Sequence, residues 1–313
     1  MQKTFLQSED WLNFQKKLNK DSLKIENENF SVIFFKYQLP LGFYYLYAPK
    51  GPVFKNSSDG KKITDSILEI INQVKIGNKE CLFLRMDPEL QFSEDLMSSF
   101  RKAGLKKTKS AQPEETIVLN LEKSEDDILR QMEYETRYSI KSSIKKGVQI
   151  IRAESVEEKQ KYFNIFWEIY EDTNKRHNLK TYEKKYFENL INLNGELKSY
   201  LYLAKVEDKI VSVAIFLAYN RETYYLFAGS ITGFGRFNTP TRIIWEAINE
   251  FKRLSYKSLD LWGVSEANPK WRGITKFKKS FGGKLIKYIG TYEYPLINKF
   301  YLLYKIIKII LNK

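Results

Sequence analysis

The chain has 313 residues, 43% of them hydrophobic, with 21 Phe, 21 Tyr and 5 Trp. That length fits two domains better than one, and the apolar content excludes wholesale disorder and low complexity. Lys and Arg number 52 against 38 Asp and Glu, a net charge of +14 that favours an anionic partner (RNA, DNA, a phosphorylated substrate, an acidic membrane face) unless it reflects only a Lys-rich proteome.

The first 20 residues are polar and mixed in charge, without the apolar core of a secretion signal. Ser8 is placed to cap a first helix with Trp11, Leu12, Phe14 and Leu18 on one stripe. Strands are expected at Phe30–Tyr37 and Gly42–Ala48, then a loop at Pro49-Lys50-Gly51-Pro52. Asp59 to Val74 has helical apolar spacing. Cys81–Met86 reads as a buried strand closed by Asp87-Pro88, so Cys81, the only cysteine, is expected to be inert. A helix over Glu94–Ala103 should end at Gly104, before a strand at Thr116–Leu121. The second half is predicted as a helix over Glu125–Lys146, a strand at Val148–Ala153, and helices at Glu157–Asn174 and Lys184–Asn192. Three strands follow, Ser199–Val206, Lys209–Tyr219 and Glu222–Gly229, the first two joined tightly at Glu207-Asp208. Thr239 and Pro240 read as N-cap and N1 of a helix to about Leu254, before a strand at Leu259–Trp262.

One cysteine and one histidine, Cys81 and His177, exclude an internal disulfide and a Cys/His zinc site within one chain. A reducing cytoplasm is the expected compartment, and no stretch reaches the roughly 20 apolar residues of a transmembrane helix. The glycines of 229–240 lie where acyl-CoA enzymes cradle a pyrophosphate. The spacing is wrong, however, and Pro240 removes an amide.

Ordered segments resemble the Fem family of aminoacyl-tRNA-dependent peptidoglycan bridge enzymes. They are Gln7-Ser8-Glu9-Asp10-Trp11, Tyr47-Ala48-Pro49-Lys50-Gly51-Pro52, Arg85-Met86-Asp87-Pro88, the basic run Arg137 to Gly147, Lys175-Arg176-His177, Phe227-Ala228-Gly229-Ser230, Leu259-Asp260-Leu261-Trp262-Gly263, and Phe277-Lys278-Lys279-Ser280-Phe281-Gly282-Gly283. The resemblance covers almost the whole chain. It implies an α/β fold of two tandem GNAT-like domains without a coiled-coil arm. The first, 1–112 with 289–313, would bind a cell-wall precursor; the second, 113–288, would bind aminoacyl-tRNA and catalyse.

The implied activity is that of an aminoacyltransferase, moving an amino acid from aminoacyl-tRNA to a side-chain amine of the peptidoglycan stem peptide, on lipid II or UDP-MurNAc-pentapeptide. No cofactor or metal is implied, and a monomer is expected. Lys278 would stabilise the oxyanion, with Asp87 lining the substrate cavity as a proton acceptor. Arg85, Tyr186, Tyr225 and Lys50 would contact substrate; Lys276, Lys279, Lys141, Lys145 and Lys146 would contact tRNA. The bland alternatives are a turn Asp before Pro88, a packing tyrosine, an Arg in an ion pair, and a solvated face formed by Lys276, Lys278 and Lys279. Where FemX-type members hold a nucleotide diphosphate with Lys and Arg, this chain has Asn13 and Tyr182, which leaves room for lipid II. In 299–313, Tyr301, Lys305, Lys308 and Asn312 share a helical stripe, and between the terminal Lys299 and Lys313 the rest is Phe, Leu and Ile with Tyr304. That pattern fits peripheral contact with the inner membrane face, or a helix packed on the first domain. The rival functions are a CoA-dependent N-acyltransferase and a non-catalytic RNA- or membrane-binding protein.

Overall fold

The computed structural model describes residues 4–55 and 59–311, without the side chains of Ile309 and Leu311. Asn312 and Lys313, which the sequence places on the tail helix, lie outside the described residues. Two compact units form, one from Met1–Glu114 with Lys287–Lys313, the other from Glu115–Ile286.

In the first unit, α1 (Glu9–Lys17) starts at Ser8, whose side chain accepts from the Trp11 amide as expected. Strand β1 (Ser22–Glu26), absent from the sequence reading, pairs antiparallel with β2 (Phe30–Gln38). Then come β3 (Tyr44–Ala48), β4 (Val53–Phe54), α2 (Gly60–Lys75), β5 (Cys81–Met86), α3 (Glu94–Lys102) and β6 (Lys106–Lys107). Asp59 caps α2 by accepting from the Lys61 and Lys62 amides. The apolar stripe of α2, Ile63, Ile67, Ile70, Ile71 and Val74, packs on Phe30, Phe34 and Cys81. Burial pushes the Cys81 thiol up to about 12, so it stays a thiol.

In the second unit, β7 (Glu115–Asn120) precedes α4 (Glu125–Gln131) and α5 (Tyr134–Lys145). The single helix expected over Glu125–Lys146 is thus two. The break at Met132–Glu133 is made from outside the segment, because the Glu133 amide donates to the Ser280 carbonyl at 2.9 Å. Then follow β8 (Gln149–Ala153), α6 (Val156–Arg176), α7 (Lys184–Leu190), β9 (Lys198–Val206), β10 (Lys209–Tyr219), β11 (Glu222–Ser230), α8 (Thr239–Arg253), β12 (Ser258–Val264), α9 (Arg272–Lys279) and β13 (Lys284–Lys287). Thr239 is not the cap of α8. Asn238 holds that position in a left-handed conformation, and the Thr239 hydroxyl bonds Ser212 Oγ at 2.6 Å.

The chain then adds β14 (Tyr292–Pro295) and α10 (Asn298–Leu311) to the first unit. Its sheet runs β1-β2-β3-β5-β14-β6, with β4 on β2; the second runs β13-β7-β12-β11-β10-β9-β8. Each contains a parallel pair, β3 with β5 and β11 with β12. The β11–β12 ladder stops at Tyr224 and Asp260, so the later residues of both strands are released from it.

Candidate active site

Three of the sequence motifs meet in the first unit. Gln7 is buried; its amide donates to the Ile33 and Pro49 carbonyls and accepts from the Ile33 amide. A side chain at Gly51 would meet Gln7 at 2.6 Å, so the Gln and the Gly are matched parts of one contact. Asp87, at the end of β5, is only 4% exposed. Its carboxylate accepts from the Tyr47 hydroxyl (2.9 Å), the Lys50 amide (2.7 Å) and the Gln112 amide (3.2 Å). Burial raises it to about 6, against the lowering effect of the Lys50 charge and these hydrogen bonds. Lys50, itself buried, donates to the Pro113 carbonyl, lies 3.8 Å from Glu89 and 4.1 Å from the centre of the Tyr288 ring. Gln7 and Tyr47 stand in the sequence motifs without an assigned role, and Gln112 and Tyr288 are not candidates by sequence; each contributes through a contact at long range along the chain.

Arg85 has a different partner from its neighbour Asp87. The β5–β14 register sets it opposite Glu293, which is fully buried, and its guanidinium donates twice to Glu293 Oε1. Glu293 also accepts from the Tyr301 hydroxyl (2.7 Å) and from Lys305 Nζ (2.9 Å). Burial would raise Glu293, but Lys305, Arg85 and Tyr301 outweigh it and hold the carboxyl below its usual range. Arg85 is therefore committed to a buried ion pair, and the Tyr301–Lys305 stripe of α10 faces the protein. This reverses the simple amphipathic picture of the tail, in which that stripe would meet water.

In the second unit, Lys278 on α9 is 7% exposed. A solvated face shared by Lys276, Lys278 and Lys279 is thereby ruled out. Lys276 is exposed, Lys279 pairs with Glu266, and Lys278 points inward. Its ammonium donates to the Gly263 carbonyl at 2.9 Å and lies 6.0 Å from the Tyr225 ring centre. Burial lowers it to about 8, partly opposed by the Asp260 charge. The acceptor is presented by a kink in β12. Asp260 accepts from the Trp262 amide at 2.6 Å and from the Thr116 hydroxyl, while Trp262 adopts a left-handed conformation with φ 59°. The β12–β7 register slips between Asp260 and Gly263. Beyond α9, Gly282 (φ +76°) and Gly283 (φ +87°) are obligatory: a Cβ would meet the Gln131 carbonyl at 2.4 Å or the Val118 carbonyl at 2.7 Å.

A cleft of about 230 Å³ lies beside this lysine's neighbours, lined by Tyr225, Phe277, Ser212, Ser230, Pro240 and Ile243 among others. Burial pushes the Tyr225 hydroxyl up. Tyr186 is nearly buried and stacks on Tyr182 at 4.0 Å. The basic helix α5 is fixed at both ends: the Thr136 hydroxyl donates to Ser280 Oγ at 2.8 Å, and Lys146 Nζ to the Arg236 carbonyl at 2.5 Å. Lys141 and Lys145 are exposed between these anchors. At the end of α6, Arg176 pairs with Asp172 and donates to the Ser230 carbonyl. Among the described residues, no group of three or more His, Cys, Asp or Glu could hold a metal ion.

A UDP-N-acetylmuramoylpentapeptide-lysine N(6)-alanyltransferase from Weissella viridescens is 25% identical over 235 residues, 70% of this chain and 66% of that enzyme. The chain thus matches just under two thirds of that relative's length. The crystal structure of FemX superposes with a TM-score of 0.81 at 17% identity, covering 96% of this chain and 94% of that one. A tandem GNAT protein from the clavulanic acid biosynthesis pathway gives 0.50 at 8% identity, over 88% and 82%. The expected fold class, mixed α/β with two tandem GNAT-like units, holds. The FemAB family model matches residues 94–209 and 205–309, which include α4 through α9 and the Lys278 site, and the chain belongs to the FemAB family.

Proposed function

We propose that the protein is an aminoacyltransferase of peptidoglycan synthesis, moving an amino acid from aminoacyl-tRNA to the side-chain amine of a precursor stem peptide. The observation that carries this reading is the Lys278 ammonium, buried and, among the described residues, hydrogen-bonded to one carbonyl, so that two of its three N–H donors could serve a bound oxygen. The Weissella relative, an alanyltransferase acting on the lysine of a UDP-N-acetylmuramoylpentapeptide, supports the choice of acceptor.

The chemistry is nucleophilic attack on an ester. The acceptor amine, ordinarily near pKa 10.4, must be neutral to attack. Its nitrogen bonds to the carbonyl carbon, and the carbonyl oxygen becomes an oxyanion that Lys278 receives. Collapse breaks the bond to the ribose oxygen. The proton shed by the amine balances the one gained by the leaving hydroxyl. The first unit is assigned to the precursor and the second to the tRNA, the chain acting as a monomer.

Helix α5 supports the tRNA assignment. Tyr134, Tyr138, Lys141 and Lys145 fall within one face at helical spacing, and all four are exposed. Tyrosines can stack on bases while the lysines meet phosphates.

The test supplies purified protein with total charged tRNA and, separately, lipid II or UDP-MurNAc-pentapeptide, and weighs the products. An aminoacyl mass increment that requires charged tRNA is expected. Transfer from acyl-CoA with none from tRNA would replace this reading with the GNAT alternative.

A further inference from the structure

The outward face of α10 is left uncovered by the described residues. Phe300, Leu302, Leu303, Ile306, Ile307 and Ile310 are each 45–65% exposed. The helix cannot roll to hide them, because its opposite side is held by Tyr301 and Lys305 on Glu293 and by Tyr301 and Tyr304 against Phe83. The apolar surface continues beyond the helix. Phe43 packs on Phe300 with ring centres 4.9 Å apart, and Leu41, two residues earlier, is 90% exposed. An exposed apolar patch of this continuity marks an interaction surface.

We infer that this face docks the protein onto an anionic lipid surface. Charge selects the occupant. Residues 294–313 hold four lysines and no Asp or Glu, and of the four Lys305 is already paired with Glu293. Lys299 is exposed and stands at helical spacing from Leu303, Ile306 and Ile310 on the outward face. Its stem can follow the apolar surface while its ammonium reaches lipid headgroups. A second copy of the chain fits less well. A helix of 14 residues is about 21 Å long and roughly 10 Å wide, a footprint far below the approximately 800 Å² per partner of a stable dimer. No described helix is long and apolar enough to cross a membrane, so the contact is in the plane of the interface. This inference does not depend on the transfer activity.

The test is co-sedimentation of the full chain with phosphatidylcholine vesicles, with and without phosphatidylglycerol, at low and high salt. Partition should require phosphatidylglycerol and fall with salt. Leu303→Glu with Ile307→Glu should cut it at least about tenfold with an unchanged melting temperature, since both side chains are exposed. Lys299→Glu, which leaves the apolar side chains intact, should reduce the preference for anionic lipid. The inference is overturned if wild type does not partition, or if the Leu303/Ile307 variant partitions like wild type. A wild-type dimer in sedimentation velocity that the same variant dissociates would assign the face to a second copy instead.

Discussion

Asp87 and Lys278 are both buried ionisable groups placed beside a strand end, one in each unit, and both have been moved toward neutrality by burial. They differ in how completely their surroundings answer them. Asp87 receives three hydrogen bonds from groups fixed in two loops and β3, so its carboxylate works as a knot that ties Lys50 and Gln112 in place. Lys278 has one carbonyl, offered by a kinked strand whose own hydrogen bonds hold it open. A buried charge with a full set of partners is spent on structure. One that keeps unused donors stays available to a ligand, at a standing cost in stability.

Lys278→Met should lower turnover about 10²–10³-fold, roughly 3–4 kcal/mol of barrier, with a melting temperature equal to or above wild type. The apolar stem is kept and a desolvated charge is removed. Wild-type turnover by this variant would end the oxyanion assignment, and a large loss of stability would show that the Gly263 contact is structural.

Asp87→Ala should do the converse. It strands the Tyr47 hydroxyl and two amides in a buried place, a loss on the order of 3 kcal/mol of stability. Asp87→Asn, which keeps an acceptor, should recover much of that while holding turnover within a few-fold. If Asp87→Asn instead melts like wild type and loses turnover, Asp87 takes the proton and the knot reading fails.

The two groups should also separate along the pH axis. Lys278 titrates near 10.5 unfolded and about 8 folded. Between those values the unfolded chain holds more protons, so stability rises with pH from about 8 to 10.5, and the burial cost is felt in full below 8. Asp87 moves from 3.8 to about 6. There the folded chain holds the proton, so stability falls as pH rises from about 4 to 6. Each step is on the order of 3 kcal/mol at most. Denaturant titrations across pH should lose the alkaline rise in Lys278→Met and the acid fall in Asp87→Asn. If protonated Lys278 meets the oxyanion, turnover should decline above about pH 8. A profile that keeps its alkaline limb in Lys278→Met would place that ionisation elsewhere.

Local rules reached the elements and the ordered motifs. Ser8 and Asp59 cap their helices because a side-chain oxygen there answers amides two or three residues on. Arg85 with Glu293 lay beyond such rules: 208 residues separate them, and only the pairing of β14 with β5 brings them together. The break at Met132–Glu133 contains neither Gly nor Pro, and its cause is the Ser280 carbonyl just beyond α9. Periodicity found the two faces of α10 but not which one turned inward; buried Glu293, needing cations, decides that.

The smallest effect concerns the exposed face of α5. Lys141→Gln with Lys145→Gln should reduce the salt dependence of tRNA binding, flattening the log–log slope by about 0.7–0.9 for each phosphate that is no longer neutralised, with only modest weakening at low salt. Lys146 is left out of that pair because its ammonium holds the Arg236 carbonyl, so its removal would disturb a turn as well as a charge. Tyr134→Ala with Tyr138→Ala should act differently, weakening binding at every salt concentration and leaving the slope unchanged, since stacking releases no counterions. Fluorescence titrations of charged tRNA at several salt concentrations distinguish the two. If neither pair changes binding, α5 is an ordinary solvated helix and the RNA surface of the second unit must be sought elsewhere; if the tyrosine pair alters the slope, those residues act by positioning the lysines rather than by touching bases.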